Sequence, residues 1–253
     1  MAKLCFLILM AFAIVPAVMS SVIKHKPKSC HEIKEFMQTT ENGFYNLFDS
    51  NLSPYTTYCD FESEPPFIWT LIESVTLHEA QQLENRKSFY YDHPLAECHI
   101  NWNKFRLSKV RIQSIQGSYG TTHYRVTCNF NPVNGTGLTN HRDYLRGSLC
   151  QYTNFYSATS SYYCVRVDYI NVRGKLCRKC RVPFYGGNTN HQFVDLGTAA
   201  TACDRFDVPD KISSEDVFGN YKNVNPQFSC SANSNSTTNW WLGGAFIAEQ
   251  LIY

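Results

Sequence analysis

An α+β fold dominated by antiparallel sheet, with few helices and long disulfide-pinned loops, is what this sequence predicts. Three observations predict it: period-two alternation in the longest apolar stretches, one clearly capped helix near the start, and ten cysteines spread downstream of an apolar leader.

The helix comes first. In "SCHEIKEFM", Ser29 stands at an N-cap position with Glu32 three residues on, the pattern of a capping box. Ile33, Phe36 and Met37 share one face at helical spacing, which predicts a helix packed onto a sheet. "GFYNLF" and "YTTYCDF" follow as short strands separated by the turn formers "DSNLSP". "THYRVTCNF" alternates Thr122, Tyr124, Val126, Cys128 and Phe130 against His123, Arg125, Thr127 and Asn129, the period of a half-buried strand. "YYCVRVDYINV" does the same with Tyr163, Val165, Val167 and Tyr169, leaving Arg166 and Asp168 on the other face. "GGAFIAEQLIY" reads as a closing strand after a double glycine, and the Gly, Asn, Ser and Tyr-rich segments between these strands read as loops.

Residues 1–20 have the layout of a secretory signal peptide: an early charge at Lys3, an apolar core, then small residues, with cleavage expected near Ser20. The apolar run is shorter than the roughly 20 residues that a membrane span needs, so no membrane span is expected. Residues 21–29 form a short basic lead-in. Loss of the leader removes Cys5 and leaves Cys30, Cys59, Cys98, Cys128, Cys150, Cys164, Cys177, Cys180, Cys203 and Cys230, an even set that allows up to five disulfides with no obligatory free thiol. Asn51, Asn134 and Asn235 each open an N-glycosylation sequon, in keeping with an extracellular route. The formal charge of +2 falls to +1 once Lys3 is removed, too neutral for a nucleic-acid binder.

From Cys30 to Ser74, the "CHEIKE" helix opening, "NGFYNLF", "YCDFES" and "WTLIES" resemble the N-terminal subdomain of the fibrinogen C-terminal-like domain, the module of fibrinogen chains, ficolins and, more distantly, intelectins. The resemblance implies a fibrinogen-like fold divided into an N-terminal subdomain over 30–75 and a divergent remainder over 76–253. It also implies a disulfide between Cys30 and Cys59. Where the family places glycines between its "YCD" and its tryptophan, this chain has Glu64, Pro65 and Pro66. "FSCSANSNSTTNWW" echoes the family's cysteine followed by a tryptophan pair, without the cysteine that follows that pair. Stand-alone secreted proteins of this kind are similar to ones found in invertebrate matrices, including the organic matrix of coral skeletons.

Three constellations could carry chemistry. "CRKC", Cys177 to Cys180, has redox or zinc spacing, and Arg178 and Lys179 would favour a thiolate, but no second ligand pair stands at a zinc-like distance. Structural disulfides are the expectation there. Asp204, Asp207 and Asp210 lie in an acidic loop that could offer calcium its oxygen ligands, and the resemblance implies calcium in such a loop. Tyr185, His191, Trp240 and Trp241 are candidate ligand contacts, because loop aromatics give large contact area at low entropic cost. No nucleophile elbow, phosphate loop or metalloprotease helix is present. The reading that results is a secreted, disulfide-rich glycoprotein without catalysis that acts by extracellular binding, its partner a carbohydrate or a matrix protein. The alternatives are a structural matrix component, mineral-associated or not, and, third, a secreted enzyme or oxidoreductase.

Overall fold

The computed structural model describes residues 25–130, 142–152, 155–197, 203 and 206–247. The leader at 1–20, Asn134 and Asp204 lie outside them. In chain order the elements are α1 (Cys30–Met37), β1 (Gly43–Phe48), β2 (Pro54–Asp60), β3 (Phe67–Thr76), α2 (Leu77–Gln81), β4 (Lys104–Arg106), α3 (Lys109–Gln116), β5 (His123–Cys128), β6 (Tyr144–Ser148), β7 (Ser161–Arg166), β8 (Tyr169–Val172), β9 (Lys175–Arg178), β10 (Arg181–Gly186), β11 (Phe193–Asp195), β12 (Asp216–Val217) and β13 (Thr237–Ala245).

The strands form two antiparallel sheets. The larger runs β1-β2-β3-β13-β5-β6-β8-β9, with β4 on the free part of the β3 edge; the smaller runs β12-β11-β10-β7. β13 is the centre of the large sheet, bonded to β3 along one edge and to β5 along the other. Adjacent residues of a strand point to opposite faces, so Trp240 and Trp241 anchor a separate core on each side. Trp240 packs among Phe89, Tyr124, Phe155 and Phe184, and Trp241 among Tyr58, Trp102 and Phe130. The register against β3 shifts between these two residues, Trp240 lying opposite Glu73 and Trp241 opposite Leu71. With no helix long and apolar enough to cross a membrane among the described residues, the architecture is a sheet-dominated α+β fold held by four disulfides, Cys30–Cys59, Cys128–Cys230, Cys164–Cys203 and Cys177–Cys180.

Several local expectations are corrected. Ser29 caps α1 by accepting from the Glu32 N–H at 3.3 Å, but the Glu32 carboxylate accepts from Lys28 N at 2.9 Å, one residue earlier than a capping box places it. Only the first turn of α1 is packed, because the Cys30–Cys59 bridge anchors that end. Ile33 is buried, whereas Phe36 and Met37 are 51% and 62% exposed. The alternation in β5 does not separate core from solvent, since Arg125 and Thr127 are as buried as Tyr124 and Val126. The strand is covered on both faces, and an ion pair replaces water on the polar one. "YYCVRVDYINV" is two strands, β7 and β8, in different sheets. The chain passes between them at Val167 and Asp168, whose N–H groups donate to the Cys180 and Arg146 carbonyls. The double glycine lies inside β13, not before it: a Cβ at Gly243 would meet the Ile68 carbonyl and one at Gly244 the Gly120 carbonyl. Finally, Cys98 and Cys150 are unpaired and exposed, so eight of the ten cysteines are bridged where five bridges were possible.

Candidate functional site

The sequence-predicted contacts do not form a surface. Trp240 and Trp241 are 0% exposed, their indole N–H groups donating to the Phe218 carbonyl and Thr127 Oγ1. They serve the core, and the rings that looked like loop aromatics are the middle of a strand. His191 is also buried, its Nε2 2.9 Å from Glu73 Oε1, in a cluster with Arg106 that closes one face of the large sheet. Burial alone would raise the Glu73 carboxyl, but His191 and Arg106 hold it below its usual range. Tyr185 is buried as well, stacked on Phe193 with its hydroxyl against Thr189.

The described acidic residues do not converge on a cation either. Asp207 faces Lys211 at 2.9 Å, Glu215 is paired with buried Arg173, and Asp210 offers its main-chain carbonyl to Asn225. No group of three or more His, Cys, Asp or Glu that could hold a metal occurs among the described residues, so the calcium set expected at Asp204, Asp207 and Asp210 is not assembled by the described part of that loop. Asp216 has a different role. It stands opposite Asp195 in the β11/β12 register, and burial together with the Asp195 charge pushes its carboxyl up to about 7. A raised folded pKa means that the folded state favours protonated Asp216; this contribution is complete below the unfolded value and is lost as pH rises through about 7. The Asp216→Asn variant is therefore expected to melt about 2–4 °C higher than the parent at pH 8, with partial solvent screening holding the gain to about 1 kcal/mol, and to show little difference at pH 5. Thermal unfolding at the two pH values checks it, and an equal shift at both would refute the assignment.

A cleft of about 520 Å³ does open where the large sheet meets the β8–β10 segment, lined by Glu64, Phe67, His123, Arg146, Asp168, Tyr169, Arg178 and Lys179. Its floor is built from the stretch around Glu64, Pro65 and Pro66 that follows β2. The turn after β2 is fastened to the core by Arg125, whose guanidinium donates to Asp60 Oδ2 at 2.5 Å and Ser63 Oγ at 3.0 Å. Asp60 in turn accepts from the Ser63 N–H at 3.0 Å. Burial alone would raise the Asp60 carboxyl; Arg125 and Ser63 outweigh it and hold it low. This turn carries Glu64 inward, where its carboxylate accepts from Trp69 Nε1 at 3.1 Å and from the Tyr144 hydroxyl at 2.6 Å and pairs with Arg146.

The walls are aromatic and charged. The Arg146 guanidinium lies 4.3 Å from the Phe67 ring centre, and Phe67 stacks on Trp69. Thr122 Oγ1 is 2.7 Å from His123 Nδ1, and His123 Nε2 is 3.3 Å from Asp168 Oδ2, a hydroxyl, imidazole and carboxylate in series that fixes the ring. The His123 hydrogen bond, reinforced by the charges of His123, Arg146 and Arg166, holds the Asp168 carboxyl below its ordinary range. The opposite rim is the "CRKC" tetrapeptide. Cys177 and Cys180 are bridged to each other, closing a turn in which Lys179 has left-handed backbone (φ 53°) and donates its N–H to the Asp168 carbonyl at 3.1 Å. The tetrapeptide thus acts as a staple that places Arg178 and Lys179 at the cleft mouth.

The sequence reading named Glu64 only as a departure, and Arg178 and Lys179 only as modifiers of a thiol. Phe67, Arg146 and Tyr169 carried no motif. One signal was available: between Arg166 and Arg181 the chain holds six cations, Arg166, Arg173, Lys175, Arg178, Lys179 and Arg181, against Asp168 alone, in a protein of near-neutral total charge. No protein-family profile matches the chain, and no curated protein matches it.

Proposed function

We propose that this chain is a secreted, glycosylated binding protein of fibrinogen-like fold, and that it recognises an extracellular carbohydrate or matrix protein in the cleft between Glu64 and Lys179, without catalysis. The observation that carries this reading is the cleft itself: concave, with Phe67 and Tyr169 as apolar surface and converging hydrogen-bonding groups from Arg146, His123 and Asp168, the composition of a recognition site. The "YCDFES" and "WTLIES" motifs, the Cys30–Cys59 bridge and the leader support the fold and compartment parts of the reading. A glycan array probed with the mature protein tests it. Phe67→Ala, which removes one wall of the cleft, is expected to lower binding of captured glycans about tenfold with unchanged circular dichroism. Captured glycans insensitive to Phe67→Ala would place the binding elsewhere.

A second reading, a cross-linked structural component of an extracellular matrix, is favoured by one observation: Cys98 and Cys150 are exposed and unpaired in a chain whose other eight downstream cysteines are bridged. In an oxidising compartment such thiols are available for bridges between chains. Non-reducing electrophoresis of protein from its natural source separates the two readings, since disulfide-linked multimers that vanish in Cys98→Ser/Cys150→Ser chains support the matrix role.

A further inference from the structure

We infer that the ligand of this cleft is an acidic glycan, carrying sulfate or carboxylate groups, and that the Cys177–Cys180 staple is the element that presents the cations which select it. The inference rests on the reading of the cleft as a binding site and names its ligand class. Both carboxylates of the cleft already have partners, Glu64 in Trp69, Tyr144 and Arg146, and Asp168 in His123. Arg178 and Lys179, both exposed at its mouth, take part in none of the ion pairs among the described residues.

The surrounding surface extends the same field. Arg166, exposed on β7, adds its charge beside the cleft, where it acts on Asp168. Lys175, at the start of β9, adds a further exposed cation. In a protein of formal charge +2, exposed cations at one concavity attract an anion locally without the general basicity of a nucleic-acid binder.

The staple makes this presentation rigid. The turn is held at both ends, the Cys180 carbonyl accepting from Val167 N at 2.9 Å and the Lys179 N–H donating to Asp168. Two long side chains thus start from a fixed backbone, which reduces the ordering cost of binding.

The test uses the mature protein with a heparin-derived hexasaccharide, its fully desulfated and carboxyl-reduced counterpart, and a single-stranded DNA oligonucleotide of equal charge. The hexasaccharide is expected to bind with an affinity that falls steeply with salt. Arg178→Ala/Lys179→Ala is expected to weaken it at least tenfold, and Cys177→Ser/Cys180→Ser about threefold to tenfold, with melting temperatures near that of the parent for the first. Equal affinity for the desulfated sugar, abolished by Phe67→Ala, would overturn the acidic assignment while leaving the binding reading standing. Binding of neither sugar would overturn the acidic assignment, the binding reading being decided separately by the glycan array. Competition by DNA as effective as by the hexasaccharide would also overturn the assignment to a glycan, as would a double alanine variant that binds like the parent.

Discussion

Chains carrying Cys128→Ser and Cys230→Ser together are expected to lose about 4–5 kcal/mol of folding stability, the largest loss foreseen for any of the four bridges. The reason is loop length. The two residues are separated by 102 positions, so the bridge restricts the unfolded chain far more than the Cys177–Cys180 bridge, which closes a ring worth only about 2 kcal/mol on the same scale. The native side of the balance is equally committed. Cys230 is fully buried, and the bridge ties the end of β5 to the turn that leads into β13. There Asn129 N donates to the Thr237 carbonyl at 2.9 Å, and Thr237 N returns a bond to Asn129 Oδ1 at 2.8 Å. Urea unfolding of both chains measures the effect. A loss below about 1 kcal/mol would mean that the unfolded chain is already compact near these residues.

Arg125→Ala is expected to cost about 3–5 kcal/mol, because it leaves Asp60 as a buried charge without its counter-ion. Arg125 and Asp60 are both 0% exposed, so Asp60 loses its counter-ion away from bulk solvent. The guanidinium also lies 4.4 Å from the Trp241 ring centre and 4.8 Å from that of Trp69, and these contacts go with it. The pH dependence gives the variant a signature. Asp60 has a depressed folded pKa in the parent, so its stabilising contribution is present above the unfolded carboxylate value near 4 and is lost as pH falls through the folded one. The gap between parent and variant should therefore narrow towards low pH, as Asp60 becomes protonated in both. A gap that stays constant between pH 7 and pH 3 would show that lost packing, and not the charge pair, dominates. Because the same guanidinium fastens the turn that carries Glu64, the variant should also bind cleft ligands more weakly than its remaining folded fraction explains.

Much of the local structure could be read directly. The Ser29 cap, the first strands and the sheet-rich character follow from patterns whose cause is local: a hydroxyl positioned over a free N–H, or side chains alternating about a pleat. What misled was burial on both faces. Period two in "THYRVTCNF" implies one wet face, but Arg125 is as deeply buried as Tyr124, and nothing in a single strand states that a distant Asp60 will neutralise it. Trp240 and Trp241 failed as ligand contacts for the same reason: their setting among Asn, Ser and Thr looks like a loop, while β3 and β5 arrive from about 170 and about 115 residues away to enclose them. The cleft is non-local in the same sense, since Glu64, His123, Arg146 and Lys179 come from four separate segments. Only the excess of cations between Arg166 and Arg181 was visible beforehand, and total charge concealed it.

The position of β13 governs how this chain can be made. Until Thr237 to Ala245 leave the ribosome, β3 and β5 each present an open edge to their surroundings, and the two tryptophans that complete both cores are absent. Folding of the large sheet therefore cannot be completed before these residues have emerged. Until then the nascent chain is exposed to aggregation, as expected when the decisive contacts are distant ones. A stop codon shortly before Thr237 would leave a product with no way to close its sheet, destined for chaperone retention and degradation.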